Sequence, residues 1–414
     1  METKQGTDNL AAQVAQARKT RISFSVLIFL YWAALGTLAF NVLLLQDCGF
    51  SSTQVGVVMA LNFMTGIVGP PVWGFVADRI RSMKKTFLIV MTVTGLATLL
   101  LPITRYMVLG SVPVVAIMLP TFTLFRAPTG SLIDGWIVSV CNQYERMTYA
   151  QIRLWGSIGY AVMAMIFTFF AKRYSIAAPY YMSVCIIAVV VMLAARQPGE
   201  HREQMQQQAA EKVNPLRLLK NYPFVVFLAF NAVLSMCSNA SGNFMPYLIE
   251  EIGADATLYG VVAGFKALFE VPVMLFGRKL IQRYKLSTLV GMVGVLYIAE
   301  QVSYQFVQTL PQIFVAQCIH GCGYGLYLSV AIQYAYTLAP RELSASAQSM
   351  VTTTMFTGSI LSSLLGGWLI EVLSIRGLYR VTAMVLIVGL VLYAASFALQ
   401  RRLQHRTPKP AAMQ

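Results

Sequence analysis

Glu200-His201-Arg202-Glu203-Gln204-Met205-Gln206-Gln207-Gln208 sits in the longest polar segment, roughly 196–222, of an otherwise apolar chain of 414 residues. It reads as a solvated linker, and it divides the chain in two. Working outward on its N-terminal side, apolar runs fall at 22–44, 54–77, 86–104, 110–140, 146–171 and 175–195. On its C-terminal side they fall at 223–249, 257–280, 287–308, 311–338, 344–371 and 377–400. Each is long enough, as a helix, to cross about 30 Å of hydrocarbon with its backbone polar groups satisfied internally. The expected fold is an all-α membrane protein of twelve transmembrane helices in two six-helix halves, 1–195 and 223–400. A cytoplasmic linker (196–222) joins them and a cytoplasmic tail (401–414) follows.

Composition agrees. Hydrophobic residues make up 57% of the chain and charged residues 11%, against about 25% charged in soluble domains. Mean hydropathy is +0.64. Too few charges remain to cover a water-soluble surface. The net charge of +15 does not indicate nucleic acid, because the cations sit in short segments between apolar runs and form no basic face with interleaved aromatics. The six cysteines are scattered, mostly within apolar runs, so neither a disulfide framework nor a metal site is expected, and no cofactor. The first twenty residues are polar, so no cleavable signal is expected and the first span directs insertion.

Lysine and arginine set the orientation. About 23 of the 31 lie in the N-terminal segment, in every second loop and in the tail, among them Arg18, Lys19, Arg21, Arg79, Arg81, Arg217, Arg283 and Arg401. The alternate loops hold about five: Arg105, Lys172, Arg173, Arg376 and Arg380. The positive-inside rule then places both termini in the cytoplasm, in a cell inner (plasma) membrane. A monomer in a lipid bilayer is expected. Two six-span halves are how many transporters are built, with the solute site between them near mid-membrane.

After the second span comes Gly74-Phe75-Val76-Ala77-Asp78-Arg79-Ile80-Arg81-Ser82-Met83-Lys84-Lys85. It resembles the loop signature of the major facilitator superfamily: a glycine, then Asp-Arg, then a basic cluster. A small residue there lets two helices pack closely, and an acid at a helix end can pair when the cytoplasmic side closes. Gly74, Asp78 and Arg79 are therefore candidate gating residues. The segment Gln151-Ile152-Arg153-Leu154-Trp155-Gly156-Ser157-Ile158-Gly159-Tyr160, with Asp134 nineteen residues before Arg153, resembles the lactose-permease-like branch. That branch includes oligosaccharide, phenylpropionate and nucleoside proton symporters. The resemblance implies a substrate-gripping role for Asp134 and Arg153. Cys318-Ile319-His320-Gly321 aligns with the branch's helix X histidine, and Leu268-Phe269-Glu270-Val271-Pro272-Val273 resembles its helix VIII segment. Gly156 and Gly159 are followed by Ser157 and Tyr160, not by the Gly-Pro-x-x-Gly-Gly element of drug–proton antiporters, which favours symport.

Two departures bear on coupling. Where the branch usually has an arginine on helix IX this chain has Glu300, and where the permease has a proton-binding glutamate it has Gly323. The proton site therefore has to be read from the residues themselves. Seven ionisable residues lie within spans: Arg126, Asp134, Arg153, Lys266, Glu270, Glu300 and His320. A charge at mid-membrane costs about 3 kcal/mol on insertion scales and persists only when paired or lining a wet cavity. Lys266 and Glu270, four apart, share a helix face, as a buried salt bridge or as part of a coupling site. A carboxylate shut away from water can load and release a proton near neutral pH. Glu270 and Glu300 are the candidates, with Lys266 beside them and Asp134 behind. Arg126 and His320 are candidate solute contacts, as are Tyr31, Trp32, Asn239 and Asn243; Asn231 and Gln333 complete a polar lining.

The sequence thus points to a proton-coupled symporter working by alternating access. Its small polar solute is expected to be a sugar or oligosaccharide, or an aromatic or other carboxylate, with nucleosides third because Asp134 is acidic where nucleoside relatives are neutral. A drug or solute antiporter of the same fold is the alternative within transport. A non-transporting membrane sensor is the alternative outside it. No nucleophile–histidine–acid constellation points to an enzyme.

Overall fold

The computed structural model describes residues 2–110, 112–144, 147–199, 215–340 and 343–406. The polar run 200–208, most of the predicted linker and the tail beyond 406 lie outside the described residues. The architecture is nearly all helical. The first span is α1 (Glu2–Ala34), continued by a 3-10 turn (Leu35–Phe40) and a short helical stretch (Asn41–Asp47). There follow α2 (Ser52–Ile80), α3 (Met83–Thr104), α4 (Val114–Cys141), α5 (Tyr149–Arg173) and α6 (Ala178–Arg196). After the linker come α7 (Tyr222–Glu251), α8 (Tyr259–Arg283), α9 (Leu286–Tyr304) and α10 (Leu310–Leu338). One last helical stretch runs Ser344–Arg406.

That stretch is two spans. Its membrane segment, 55 residues, would reach about 80 Å if straight, more than twice the hydrocarbon core. The helix breaks at Ser374, where φ is 75°. Along α7, Asn231 bonds Val351 and Thr354 while Asn243 bonds Ser363, so the first leg (α11, 344–373) runs parallel to the climb of α7. Tyr222 meets Ser396 and Cys237 meets the Thr382 carbonyl, so the second leg (α12, 375–406) runs back down. Ten helical segments are long and apolar enough to cross a membrane among the described residues. Splitting the last and adding α4, whose 28 residues carry Arg126 and Asp134, makes twelve.

Local sequence sets the boundaries. Ser51 and Thr309 begin α2 and α10 with capping boxes closed by Gln54 and Gln312, which satisfy amides that open a helix. Arg81 ends α2 in the left-handed conformation, φ 55°. The fourth span was expected from 110; it starts at Val114 because Val108–Leu109 and Val112–Pro113 form a two-stranded hairpin around Gly110. The glycines of the tenth span do not weaken it. Gly321 and Gly325 let the backbone of α8 come close, since a Cβ there would press on Lys266 and Glu270 carbonyls.

The hydrophobic core comes in three parts. One lies wholly in the first half (Phe24, Phe87, Trp136, Ile152, Val190) and one wholly in the second (Phe227, Val293, Val330, Leu386). The third is shared, joining Phe40, Leu44, Val55 and Phe167 to Phe244, Leu248, Val262 and Tyr379. The shared core sits at the end of the bundle away from the chain termini. There Ser52 bonds the Gly367 carbonyl at 2.9 Å, Thr53 bonds Glu371 at 2.6 Å, Gln46 bonds Glu250, and Lys172 pairs with Asp255 at 3.7 Å. Gly56 and Gly367 face each other across this seam, and Gly260 and Gly264 face Ala161 and Ala164 of α5. The structure is therefore closed at this end, while at the other end each half keeps its own core. Three of the five cations counted in the alternate loops are paired with acids: Arg105 with Asp47, Lys172 with Asp255 and Arg376 with Glu251.

Candidate functional site

In the first half, α1, α4 and α5 bring three of the expected residues together. The Arg153 guanidinium lies over the Trp32 ring, 4.3 Å from its centroid. Gly156 makes this stack possible, because a Cβ there would meet both Trp32 and Arg153. Tyr149, one turn below Arg153, hydrogen-bonds Asp134, and Asp134 is close enough to feel the Arg153 charge. Two buried polar atoms in this cluster have no partner among the described residues: Trp32 Nε1, a donor, and Asp134 Oδ1, an acceptor. Such atoms are costly to leave unmade, and together they offer a solute hydroxyl or amide one donor and one acceptor.

Tyr31 packs edge-on against Trp32, ring centroids 5.7 Å apart, whereas Arg126 is bonded into a network of its own. Tyr31 is buried and bonds Thr129 at 2.9 Å. Arg126 donates to Thr123 at 3.0 Å, and Thr123 bonds Asn62. This is an internal polar network, and Arg126 neither pairs with Asp134 nor joins the Arg153 stack.

In the second half a cavity of about 280 Å³ opens among α7, α8, α9, α10 and α11. Asn239, Asn243, Lys266 and His320 line it, as expected. The sequence reading missed its aromatic wall: Tyr259, Tyr297, Tyr324 and Tyr327. Tyr324 and Tyr327 follow His320 at i+4 and i+7, a one-face stripe that could have been read. The His320 ring is stacked between Tyr297 (5.8 Å) and Tyr324 (6.0 Å). Asn231 is not a free lining group, because Tyr327 and Thr354 each bond it at 2.7 Å. Gln333 is exposed and turned away from the cavity.

Behind the cavity wall, His320 Nδ1 stands 2.8 Å from Glu300 Oε1. Glu300 is 0% exposed and His320 3%. The contact is off-axis for a regular hydrogen bond, and the Tyr304 hydroxyl also lies beside the Glu300 carboxyl. This pair joins two residues that the sequence left separate. The Lys266–Glu270 salt bridge offered by their spacing is not formed: no ion pair within 4.0 Å joins them, and the Lys266 ammonium lies 5.6 Å from the centre of the Tyr324 ring. Glu270 is buried, makes no described hydrogen bond, and senses Lys266, His320 and, across the seam between halves, Arg153. The two half-sites therefore face each other.

The gating residues are outside this region. Asp78 and Arg79 are exposed, and a Cβ on Gly74 would meet nothing within 4 Å. The close packing expected at Gly74 is absent because the halves stand apart at that end.

A twelve-helix bundle of two halves, with polar residues facing one another across the seam, is an architecture of membrane solute transporters. The chain matches the MFS_1 like family over residues 21–381, and it belongs to that family, part of the major facilitator group; it is not an enzyme. It is 26% identical over 381 residues to maltose permease of Geobacillus stearothermophilus, covering 91% of this chain and 94% of that one. It is 23% identical over 370 residues to the putative nucleoside transporter YegT of Escherichia coli (strain K12), covering 85% of each. Among solved structures, a mutant of nucleoside transporter NupG superposes with a TM-score of 0.81 at 16% identity, over 91% of this chain and 100% of that one. The NupG structure without that mutation gives 0.78, again at 16% identity. The resemblance read from the loop and span motifs holds at the level of the superfamily and its fold.

Proposed function

We propose that the protein is a proton-coupled symporter of a small, hydroxyl-rich ring solute, a sugar or a nucleoside. The observation that carries this reading is the pairing of a ring-binding wall with a sealed titratable pair. Tyrosine faces and the Trp32 ring can stack on a sugar or base, while Asn239, Asn243, Arg153 and Asp134 can bond its hydroxyls. Relatives named as maltose and nucleoside transporters support a neutral solute over the carboxylate also expected from sequence.

Coupling is assigned to Glu300 with His320, and Glu270 and Lys266 flank them. Glu300 has no water contact of its own, so its proton passes through a neighbouring side chain, and we assign that part to His320, the one member of the pair that lines the cavity. A solute docking against Tyr297 and Tyr324 covers His320 and closes that path, linking proton release to solute release. Arg153 and Trp32 hold the solute from the first half, with Asp134 as acceptor. Alternating access exchanges the seam closed here for one at the opposite end, where Gly74, Asp78 and Arg79 would meet the second half. By the positive-inside rule the open end is cytoplasmic, in an inner membrane, with the protein acting as a monomer.

The test is uptake into proteoliposomes, screened over disaccharides, nucleosides and aromatic acids, with and without an inward proton gradient. Accumulation of a sugar or nucleoside only when the gradient is present is expected. Uptake of aromatic acids alone, or accumulation unaffected by collapsing the gradient, would sink this reading.

A further inference from the structure

On the outer face of the first half, α1 and α5 diverge to leave a groove of about 770 Å³. Its walls are Ile22, Val26, Phe29 and Trp155, and its mouth carries Arg21 and Gln151. Ile22, Val26 and Trp155 are exposed, so this is a lipid-facing surface, distinct from the solute cavity in the second half. The groove is blind at its deep end. One turn beyond Trp155, Gly159 brings α5 onto the Phe29 carbonyl of α1 so closely that a Cβ would clash. From Arg21 to Phe29 it runs eight residues, about 12 Å of helix, long enough to hold a stretch of acyl chain.

The mouth has a chemical sign. Arg21 stands where the first span meets the polar N-terminal segment, and Arg18 is one helical turn further out on the same face. Among the described residues neither has an ion-pair or hydrogen-bond partner, although cations elsewhere at the helix ends do. Among the described residues no aspartate or glutamate lines the groove, so an ammonium or choline headgroup finds no counter-charge among them. A phosphate with net negative charge would find two guanidiniums, which bind it as planar forks of donors.

We propose that this groove binds one anionic phospholipid, with its phosphate on Arg21 and Arg18 and an acyl chain along Ile22, Val26 and Trp155. Apolar burial holds the chain, and the arginines choose the headgroup. Basic cavities between membrane helices select anionic lipids in this way, at about fivefold in affinity per arginine near the surface.

The test is native mass spectrometry of the full-length protein, titrated with phosphatidylglycerol or phosphatidylethanolamine of matched chains. Wild type should retain one phosphatidylglycerol in preference to phosphatidylethanolamine. Arg21→Gln should cut that preference about fivefold, and Arg18→Gln with Arg21→Gln about twenty-fivefold. Val26→Trp, which fills the groove and touches no charge, should abolish the one-lipid species while thermal unfolding and gel filtration stay normal. Inorganic phosphate should not displace the lipid. The proposal is overturned if both lipids bind equally, if the preference survives the arginine changes, if Val26→Trp leaves the bound lipid in place, or if phosphate alone competes.

Discussion

The coupling assignment makes its sharpest prediction at Glu300. Glu300→Gln keeps the shape and leaves His320 a carbonyl partner, but removes the group that carries the proton. One proton moving with each solute down a gradient of one pH unit contributes about 1.4 kcal/mol, a tenfold solute accumulation. In the glutamine variant that factor should fall to one, because a side chain that cannot be protonated makes no use of the gradient. Exchange of solute across the membrane should survive, since exchange needs no net proton release. Stability separates this from a structural role. The pair is 2.8 Å apart and out of water, so His320→Ala strands Glu300 and should cost about 3–5 kcal/mol. Replacing both, Glu300→Met with His320→Phe, should recover most of that stability yet leave accumulation at one. Proteoliposome accumulation and counterflow, read beside thermal unfolding, make the measurement. If Glu300→Gln still accumulates solute tenfold at one pH unit, the proton is carried elsewhere, with Glu270 next to be tested by the same split.

Three further outcomes follow from the geometry. Arg153→Lys should weaken solute binding by about tenfold or more at unchanged expression, because an ammonium lacks the planar fork and the stack on Trp32; equilibrium binding of unaltered strength would remove Arg153 from the site. Gly56→Leu should push the closed seam apart, because its side chain runs into the Ser363 carbonyl. At about 1–3 kcal/mol of overpacking, the population should move at least fivefold toward the state open at this end. Spin labels at the exposed Tyr174 and Phe306 should report longer distances, and an unchanged distribution would refute the seam's role. Reporter fusions at Gln414 should be active only with cytoplasmic reporters, and a periplasmically active fusion would reverse the orientation.

What the sequence determined by itself was the set of crossings and the chemistry available within them. Runs of twenty apolar residues and the polar break near 200 dictate twelve helices in two sixes, because hydrocarbon tolerates no unpaired backbone. The same reasoning marked Arg153, Asp134, Glu270, Glu300 and His320, since a charge inside a span needs a purpose. The sequence could not say which of those charges meet. Spacing along one helix suggested Lys266 with Glu270, whereas the bundle turns Lys266 toward Tyr324 and brings Glu300 of α9 against His320 of α10. It also could not separate Arg126, bound into its own half, from Arg153 on the seam, or assign Gly156 to the Trp32 stack. Those pairings depend on how each helix is rotated about its axis, and that rotation is fixed by small residues where backbones touch. Helical periodicity gives every side chain a direction only relative to its own helix, so partners on different helices become determinate only once the helices are packed.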